Sequence, residues 1–219
     1  MIITIDGPAG TGKSSVARAL AERLGYEFLN TGAMYRAVAL ACLEADVGLD
    51  DETRVAETSR GLALRFADNR IHLNGRDVTE AIYLEEVTQA ASLVASNEAV
   101  RRQLVELQRQ CGRDSNLVTE GRDQGTIVFP QAEYKFFLTA APEERALRRQ
   151  RELAAQGREL SLAELLVQQS ERDRRDESRT CAPLRPADDA LRIDTSHLSQ
   201  DEVVDRLEKI VRQRLPRSS

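Results

Sequence analysis

Short apolar runs and segments of helical spacing alternate along most of the chain. The apolar runs are too short for helices and are rich in β-branched or aromatic residues, which predicts five strands. These strands are expected at residues 2–5, 26–29, 117–119, 134–138 and 191–194. Helices are predicted over residues 14–24, 33–44, 97–111, 142–155, about 161–179 and 203–215. Strands that alternate with helices indicate a parallel sheet covered on both faces, with its ligand site beyond the carboxyl ends of the strands.

Three of the predicted helices carry local start signals. Pro142 suits a first helical turn, because the N–H that proline lacks has no intrahelical partner there. Ser161 with Glu164, and Ser199 with Glu202, have the spacing of a capping box. These signals place the starts of the last three helices.

One segment departs from the alternation of strand and helix. Apolar and polar residues alternate from Leu62 to Phe66 and again from Ile71 to Leu73, with a turn expected at residues 67–70. This period of two predicts an antiparallel hairpin inserted into the parallel scheme.

Length and composition restrict the class of protein. The 219 residues suit a single domain, 1–219, with the insertion at about 61–92 and a loose tail at 216–219. No apolar run approaches the roughly 20 residues of a membrane span, and no signal-like segment opens the sequence. The net charge of −5 argues against a nucleic-acid or membrane partner. Three scattered cysteines indicate reduced thiols, so we expect a cytoplasmic protein, and nothing demands more than a monomer.

A phosphate-binding motif follows the first predicted strand. Residues 7–14 read Gly-Pro-Ala-Gly-Thr-Gly-Lys-Ser, which satisfies G-x-x-x-x-G-K-[ST], and strand and helix flank it as the motif requires. Backbone N–H groups and the helix N-terminus would cradle the phosphates of ATP, with Lys13 on the β and γ phosphates and Ser14 on Mg²⁺. The predicted nucleotide-binding residues are Gly7, Pro8, Ala9, Gly10, Thr11, Gly12, Lys13, Ser14 and Ser15.

Arginines are the expected ligands of an acceptor that itself carries a phosphate, because two polyanions must then approach each other. Arg36 and Arg122 follow predicted strands and so lie near the carboxyl edge of the sheet. Arg172, Asp176 and Arg179 are spaced i, i+4, i+7, which predicts one shared helical face.

A second arginine-rich helical face contains Arg145, Arg148 and Arg149. It is open to two interpretations, a solvated, ion-paired surface or a set of cations that reach the phosphates.

Taken together, four motifs resemble bacterial cytidylate kinases over essentially the whole chain. They are residues 7–15, residues 30–36 (Asn-Thr-Gly-Ala-Met-Tyr-Arg), residues 121–126 (Gly-Arg-Asp-Gln-Gly-Thr), and residues 171–179 with Ala-Pro-Leu at 182–184. The resemblance implies an adenylate-kinase-like P-loop fold, an α/β fold with a five-stranded parallel sheet, a hairpin insertion and a lid at about 145–160. It also implies transfer of phosphate from ATP to CMP and dCMP with Mg²⁺.

The resemblance further implies roles for individual residues. Arg36, Arg122 and Arg179 would hold the acceptor phosphate. Arg172 and Asp176 would contact the sugar, Thr31 matches a hydroxyl position of the acceptor site, and Arg148 and Arg149 fall within the lid that would meet the transferring phosphoryl group. Glu120 stands where many relatives have aspartate.

Ser92, Arg101 and Asp123 match the positions that read the base in this family, and their chemistry suits cytosine. A carboxylate can accept a hydrogen bond from the N4 amino group, while arginine and serine can donate to N3 and O2. Uracil would present O4 to the same carboxylate and leave a buried charge unpaired, which selects against it.

Two other interpretations compete with this one. A different P-loop kinase of a small metabolite, such as an adenylate or shikimate kinase, fits the phosphate motif, but residues 121–126 and the hairpin argue against both. A nucleotide-binding switch that transfers no phosphate also fits the motif, although acceptor-side arginines are superfluous for that role.

Overall fold

The computed structural model describes residues 1–67, 70–155 and 157–214. The turn residues 68–69, the tail at 216–219 and the last residue of the expected 203–215 helix lie outside these described residues. The chain forms two compact units. We call Met1–Leu29 with Cys111–Ser219 the sheet unit, and Asn30–Gln110 the insert unit. The insert unit contains the segment 61–92 that was expected as an insertion, and it extends on both sides of that segment.

Eight strands occur in the described part of the chain. They are β1 (Ile2–Asp6), β2 (Glu27–Asn30), β3 (Leu64–Ala67), β4 (Arg70–Leu73), β5 (Arg76–Asp77), β6 (Leu117–Gly121), β7 (Tyr134–Thr139) and β8 (Leu191–Asp194). Five of them form one sheet in the order β2-β6-β1-β7-β8. β1 pairs in parallel with β6 and β7, and β7 pairs in parallel with β8. The five-stranded α/β fold predicted from the sequence is confirmed.

The described α-helices follow the same chain order. They are α1 (Lys13–Leu24), α2 (Thr31–Glu44), α3 (Glu52–Arg60), α4 (Glu85–Val94), α5 (Glu98–Cys111), α6 (Pro142–Ala155), α7 (Leu162–Ser178) and α8 (Gln200–Arg214). A 3₁₀ turn spans Ala81–Tyr83, and a π-helical turn spans Gln124–Val128. Among the described residues, no helix combines the length and apolar character that a membrane span requires.

The core of the sheet unit shows why the short apolar runs are strands. Ile3 and Ile5 of β1, and Phe136 and Leu138 of β7, are buried, as expected for strands covered on both faces. Helices α1 and α8 pack their apolar stripes into the same core. The stripe residues are Val16, Ala17, Leu20, Val203, Val204, Leu207 and Val211. Each buried side chain of valine size or larger contributes about 1.5–3 kcal/mol.

The insert unit contains more structure than the alternating pattern predicted. β3 pairs with β4 in antiparallel register, which confirms the hairpin, and β5 adds a third strand to it. β5 has only two residues, both exposed, so it offers no apolar alternation to detect. Helices α3 and α4 were also missed. α3 buries only a short stripe, Val55, Ala56 and Ser59, and α4 begins without a side-chain cap.

Helix ends follow local signals more closely. α6 begins at Pro142, and Gly25 ends α1 with a φ of 67°, a left-handed conformation that glycine adopts without strain. Ser161 caps α7 through a complete capping box with Glu164. At the head of α8, the backbone N–H of Ser199 donates to the Glu202 carboxylate at 2.8 Å and the N–H of Glu202 donates to Oγ of Ser199 at 3.3 Å, so the second predicted capping box is present as well.

The capping box of α7 yields a test of stability. Ser161→Ala removes the hydroxyl that accepts from the Glu164 backbone N–H at 3.2 Å, and we expect a loss of about 1 kcal/mol in the free energy of unfolding. For a chain of this size, that loss corresponds to a thermal midpoint lower by roughly 2–4 °C. Ser170→Ala, at an exposed position of the same helix, is the control and should leave the midpoint unchanged or slightly raised. Equal midpoints for the two variants would contradict the role of the cap.

Candidate active site

The loop between β1 and α1 depends on glycine at two positions. Gly7 has a φ of 146°, and a Cβ there would lie 2.2 Å from the carbonyl oxygen of Leu138. Gly10 has a φ of 77°, and its Cβ would lie 2.9 Å from the Cβ of Arg145. No L side chain fits either position without moving the backbone. The loop therefore holds the tight path that the phosphate-binding motif predicts.

Lys13 lies at the start of α1 and is only 5% exposed. Its Nζ donates to the carbonyl oxygen of Pro8 at 2.6 Å, within the loop itself. Burial, together with the nearby positive charge of Arg122, lowers the pKa of Lys13 to about 7. The charge of Arg172, which was predicted to contact the sugar, acts in the same direction, so cations predicted for the donor and for the acceptor lie close to one another.

Ser14, the predicted metal ligand, is placed beside a carboxylate. Its Oγ donates to Oε1 of Glu120 at 2.9 Å, and Glu120 is buried near the end of β6. Hydroxyl and carboxylate oxygens are ligands that Mg²⁺ accepts together with phosphate oxygens and water. The residues at this point therefore fit a magnesium ion that a bound nucleotide would also hold.

Asp176 joins two of the arginines predicted for the acceptor phosphate. Its carboxylate accepts from Nε of Arg122 at 2.8 Å and from Nη2 of Arg179 at 2.5 Å. Asp176 is 2% exposed. Burial would raise the pKa of Asp176, but the charges of Arg122 and Arg179 outweigh it and hold the pKa below its usual value. Asp176 is thus an ionised group that fixes both guanidinium groups.

The predicted helical face of Arg172, Asp176 and Arg179 is correct only in part. α7 ends at Ser178, and Arg179 follows with φ −58° and ψ 133°, which is extended backbone. Arg179 therefore approaches Asp176 from the residue that caps the helix, and not from the helical face. Helical spacing correctly predicted that Asp176 and Arg179 lie close together, but it did not predict that the helix ends before Arg179.

Asp6 is a buried acidic residue that sequence reasoning missed. It ends β1, and its two carboxylate oxygens accept from the backbone N–H groups of Gln124 at 2.9 Å and Gly125 at 2.7 Å. Burial raises the pKa of Asp6 to about 7, although both N–H donors act in the opposite direction. The negative charge of Asp123 raises it further, so the predicted base-reading carboxylate lies near Asp6. An aspartate directly before the first glycine of the motif was the available signal.

The arginines of α6 have defined partners in the sheet unit. Arg145 donates to the carbonyl oxygen of Ala9 at 3.0 Å and pairs with Asp173 at 2.7 Å. Arg148 donates to Oγ1 of Thr195 at 3.1 Å and to the backbone oxygen of the same residue.

Arg149 makes a partly exposed pair with Glu152 at 3.3 Å. The first part of the predicted lid, up to Ala155, is regular helix, and Gln156 lies outside the described residues. Whether residues 145–160 close over a nucleotide stays a prediction.

The remaining predicted site residues belong to the insert unit. Thr31, Ser92 and Arg101 are buried there. The Arg101 guanidinium lies 5.7 Å from the ring centre of Tyr35 and donates to the carbonyl oxygen of Ala95 at 3.3 Å.

Arg36 of the insert unit lies against an aromatic ring. Its guanidinium is 5.3 Å from the ring centre of Tyr83, and the Asn30 amide donates to the Tyr83 hydroxyl at 3.4 Å. Asn30 also caps α2 by accepting from the N–H of Ala33. Tyr83 was not singled out in the sequence, because it lies in a 3₁₀ turn with no motif of its own.

Solved structures resemble the overall fold. Shikimate kinase from Bacteroides thetaiotaomicron matches with a TM-score of 0.50 at 12% identity, covering 97% of this chain and 98% of that one. An uncharacterised protein from Eubacterium ventriosum matches with a TM-score of 0.53 at 12% identity, covering 98% and 99%. Likeness at this identity shows that the chain shares their fold and nothing finer.

Sequence relatives are much closer. Cytidylate kinase from Geobacter sulfurreducens is 45% identical over 218 residues, covering 98% of this chain and 94% of that protein. Cytidylate kinase 1 from Haemophilus influenzae is 47% identical over 210 residues, covering 94% and 91%. A bifunctional pantoate ligase/cytidylate kinase from Synechococcus sp. is 51% identical over 224 residues, but the match covers only 42% of that protein. The family model for cytidylate kinase matches residues 3–213. The chain is therefore a kinase that belongs to the cytidylate kinase family.

Proposed function

We propose that this protein transfers the γ-phosphoryl group of ATP to CMP and dCMP, giving CDP and dCDP. It would thus be a phosphotransferase whose acceptor is itself a phosphate group. The observation that carries the proposal is a group of cations beside the phosphate loop: Arg122 and Arg179 share the buried Asp176, and the pKa of the buried Lys13 is lowered by burial and by the nearby charge of Arg122. Cations held this close together are costly unless opposite charge binds among them. Two phosphate-bearing substrates supply that charge.

The donor side is proposed to bind ATP through Gly7–Ser15. The loop backbone and Lys13 would hold the β and γ phosphates, while Ser14 and Glu120 would hold a magnesium ion. When bound, that ion neutralises charge on the phosphate oxygens. Arg145, fixed between Ala9 and Asp173, keeps the loop in place.

The acceptor phosphate is proposed to lie on Arg36, Arg122 and Arg179. A nucleoside monophosphate is already anionic near neutral pH, so its oxygen needs no general base. The described residues would then act by positioning and by stabilising the charge of the transition state, where one arginine contributes roughly 10³ to 10⁵ in rate. Asp176 holds Arg122 and Arg179 ready for this role.

Further residues are proposed to recognise the nucleoside. In the sheet unit, Asp123 would accept from the cytosine N4 amino group, and Arg172 and Asp176 would contact the sugar. In the insert unit, Ser92 and Arg101 would donate to the base, and Thr31 would offer its hydroxyl to the acceptor. Arg148 and Arg149 would assist at the transferring phosphoryl group when a lid closes. We expect a monomer to suffice.

The first test is the acceptor itself. Initial rates of ADP formation are measured with ATP and Mg²⁺ against CMP, dCMP, UMP, AMP, GMP and shikimate. We expect fast turnover with CMP and dCMP, and rates with UMP lower by roughly 10² or more, because its O4 faces a carboxylate. Turnover with shikimate or a purine nucleotide alone would reject the cytosine assignment. No turnover with any acceptor would favour a nucleotide switch.

Lys13 provides a test of the donor side. Lys13→Ala should lower kcat by roughly 10² to 10³, because a cation is lost from the transferring phosphates. The thermal midpoint should stay equal or rise, since a buried ammonium with a lowered pKa costs stability. Lys209→Ala, at an exposed position of α8, is the control and should change neither quantity. Near-normal turnover of Lys13→Ala would overturn the role of the loop.

Asp176 links stability to the acceptor arginines. Asp176→Asn removes the charge of the carboxylate that binds both guanidinium groups, so we expect the free energy of unfolding, measured with urea at pH 7, to fall by about 3 kcal/mol and turnover to fall with it. The pKa of Asp176 is lowered in the fold, so its contribution is present above the usual value of 3.8 and is lost as the pH falls through the folded pKa. The difference in the free energy of unfolding between Asp176→Asn and the unaltered protein should therefore shrink as the pH falls through the folded pKa of Asp176.

The matched control for this variant is Asp189→Asn. Asp189 pairs with Lys135 at 2.9 Å but is 66% exposed, so its loss should cost less than about 1 kcal/mol. If both variants lost the same small amount, Asp176 would not be the group that holds the arginines.

A further inference from the structure

Asp6 lies at the point where two loops of the candidate site begin. It is the last residue of β1, and Gly7, the first residue of the phosphate loop, follows it directly. In the parallel register of the sheet, Asp6 lies beside Gly121, the last residue of β6. The chain after Gly121 forms residues 122–128, which we call the acceptor loop. Asp6 therefore stands where the two loops leave adjacent strands.

The Asp6 side chain contacts the acceptor loop through both oxygens. Oδ1 accepts from the backbone N–H of Gln124 at 2.9 Å, and Oδ2 accepts from that of Gly125 at 2.7 Å. Both N–H groups are at the start of the π-helical turn Gln124–Val128. These bonds fix the backbone immediately after Arg122 and Asp123, the two residues of the loop that are proposed to bind the acceptor.

The acceptor loop is seated closely against β1 at the same point. A Cβ on Gly125 would lie 3.0 Å from Oγ1 of Thr4 and 3.4 Å from Oδ2 of Asp6. The side-chain oxygen of Gln124 accepts from Oγ1 of Thr119 at 3.0 Å, which fixes the turn to β6 as well. The turn is thus held against β1 at Gly125 and against β6 at Gln124.

Placing a carboxylate here is costly for the fold. Asp6 is 4% exposed, and burial disfavours its charge, as does the neighbouring negative charge of Asp123. A neutral side chain would avoid that cost, but no neutral side chain of this size accepts two hydrogen bonds through two separate atoms. Aspartate is therefore distinguished at this position by its two oxygens, each of which accepts a hydrogen bond.

We propose that Asp6 is a positioning residue that fixes the acceptor loop relative to the phosphate loop and so sets the places of Arg122 and Asp123. This inference rests on the proposed function, because the acceptor role of those two residues is part of it. Phosphoryl transfer between two bound nucleotides depends on their relative placement, and an error of about 1 Å can cost roughly 10²-fold in rate. Asp6 provides that placement, because it ends the strand that leads into the phosphate loop and its side chain binds the acceptor loop.

The test uses Asp6→Asn in the full chain. The amide oxygen still accepts from one N–H, but the amide NH₂ faces the other N–H and cannot accept from it. We expect kcat/KM for CMP to fall about 10- to 100-fold, with KM for CMP raised, while the Kd for ADP measured by calorimetry changes less than about threefold. Hydrogen exchange should accelerate in peptides that cover the acceptor loop and not in those that cover α1.

Two further variants make the result decisive. Gly125→Ala keeps the carboxylate but crowds the same turn, so it should reproduce the selective loss for CMP, and it replaces Asp6→Asn if that variant does not fold. Tyr134→Phe removes a buried hydrogen bond from Tyr134 to the carbonyl oxygen of Val211, so it should lower stability without changing the KM for CMP.

The outcomes separate this inference from the proposed function. Unchanged CMP kinetics in Asp6→Asn, or equal losses for CMP and ADP, would overturn the positioning role. So would the same loss for CMP in Tyr134→Phe, since the effect would then follow stability alone. If the unaltered protein did not phosphorylate CMP, the proposed function and the acceptor role would fail together. The exchange measurement would still decide whether Asp6 holds the loop.

Discussion

Repulsion among closely placed cations is the constraint on which the sheet unit depends. Lys13, Arg122 and Arg172 lie close enough for the arginine charges to lower the pKa of the lysine. A fold can hold such a group together only where carboxylates share the space, because an isolated buried charge costs several kcal/mol. Asp176 supplies one such charge between two arginines, and Glu120 supplies another beside Ser14. The carboxylates are therefore as necessary to the site as the cations are.

Parallel pairing of the central strands is what brings these charges to one edge. β1 and β6 run side by side from Ile2 opposite Leu117 to Asp6 opposite Gly121, so the phosphate loop and the acceptor loop leave the sheet at the same level. The alternation along β1 fixes this register, since a shift of one residue would exchange the buried Ile3 and Ile5 with the buried polar Thr4 and Asp6 between the two faces of the sheet. Hydrophobic patterning thus determines where the polar chemistry occurs. The polar residues then determine how the loops are held.

The sequence predicted those parts of the fold that have a strong local signal. The five strands of the sheet, the start of α6 at Pro142, the capping box at Ser161 and the phosphate loop were all expected, and the structure has them. The short strand β5, helices α3 and α4, and the extended backbone of Arg179 were not expected. Each of these depends on packing or on a chain end that no periodicity marks.

The candidate site divides in the same way between motif residues and their supports. Motif positions such as Lys13 and Arg122 could be named from spacing and resemblance. The bonds of Asp6 to the acceptor loop and of Arg145 to the Ala9 carbonyl were not predicted, because each is made to a backbone group, and a backbone N–H or C=O has no identity in the sequence. Only the fold shows that the carboxylate of Asp6 meets the N–H of Gln124.

Arginine and lysine make different contributions to this arrangement. A guanidinium keeps its charge when buried, so Arg122 and Arg179 remain cations that Asp176 can hold in place. An ammonium loses its proton more readily, and the pKa of Lys13 near 7 means that its charge depends on its surroundings. A bound polyphosphate would favour the charged form, so a lysine that had lost its proton would take one up when the nucleotide binds. The arginines thus stay charged whether or not a nucleotide is bound, whereas nucleotide binding favours the charged form of Lys13.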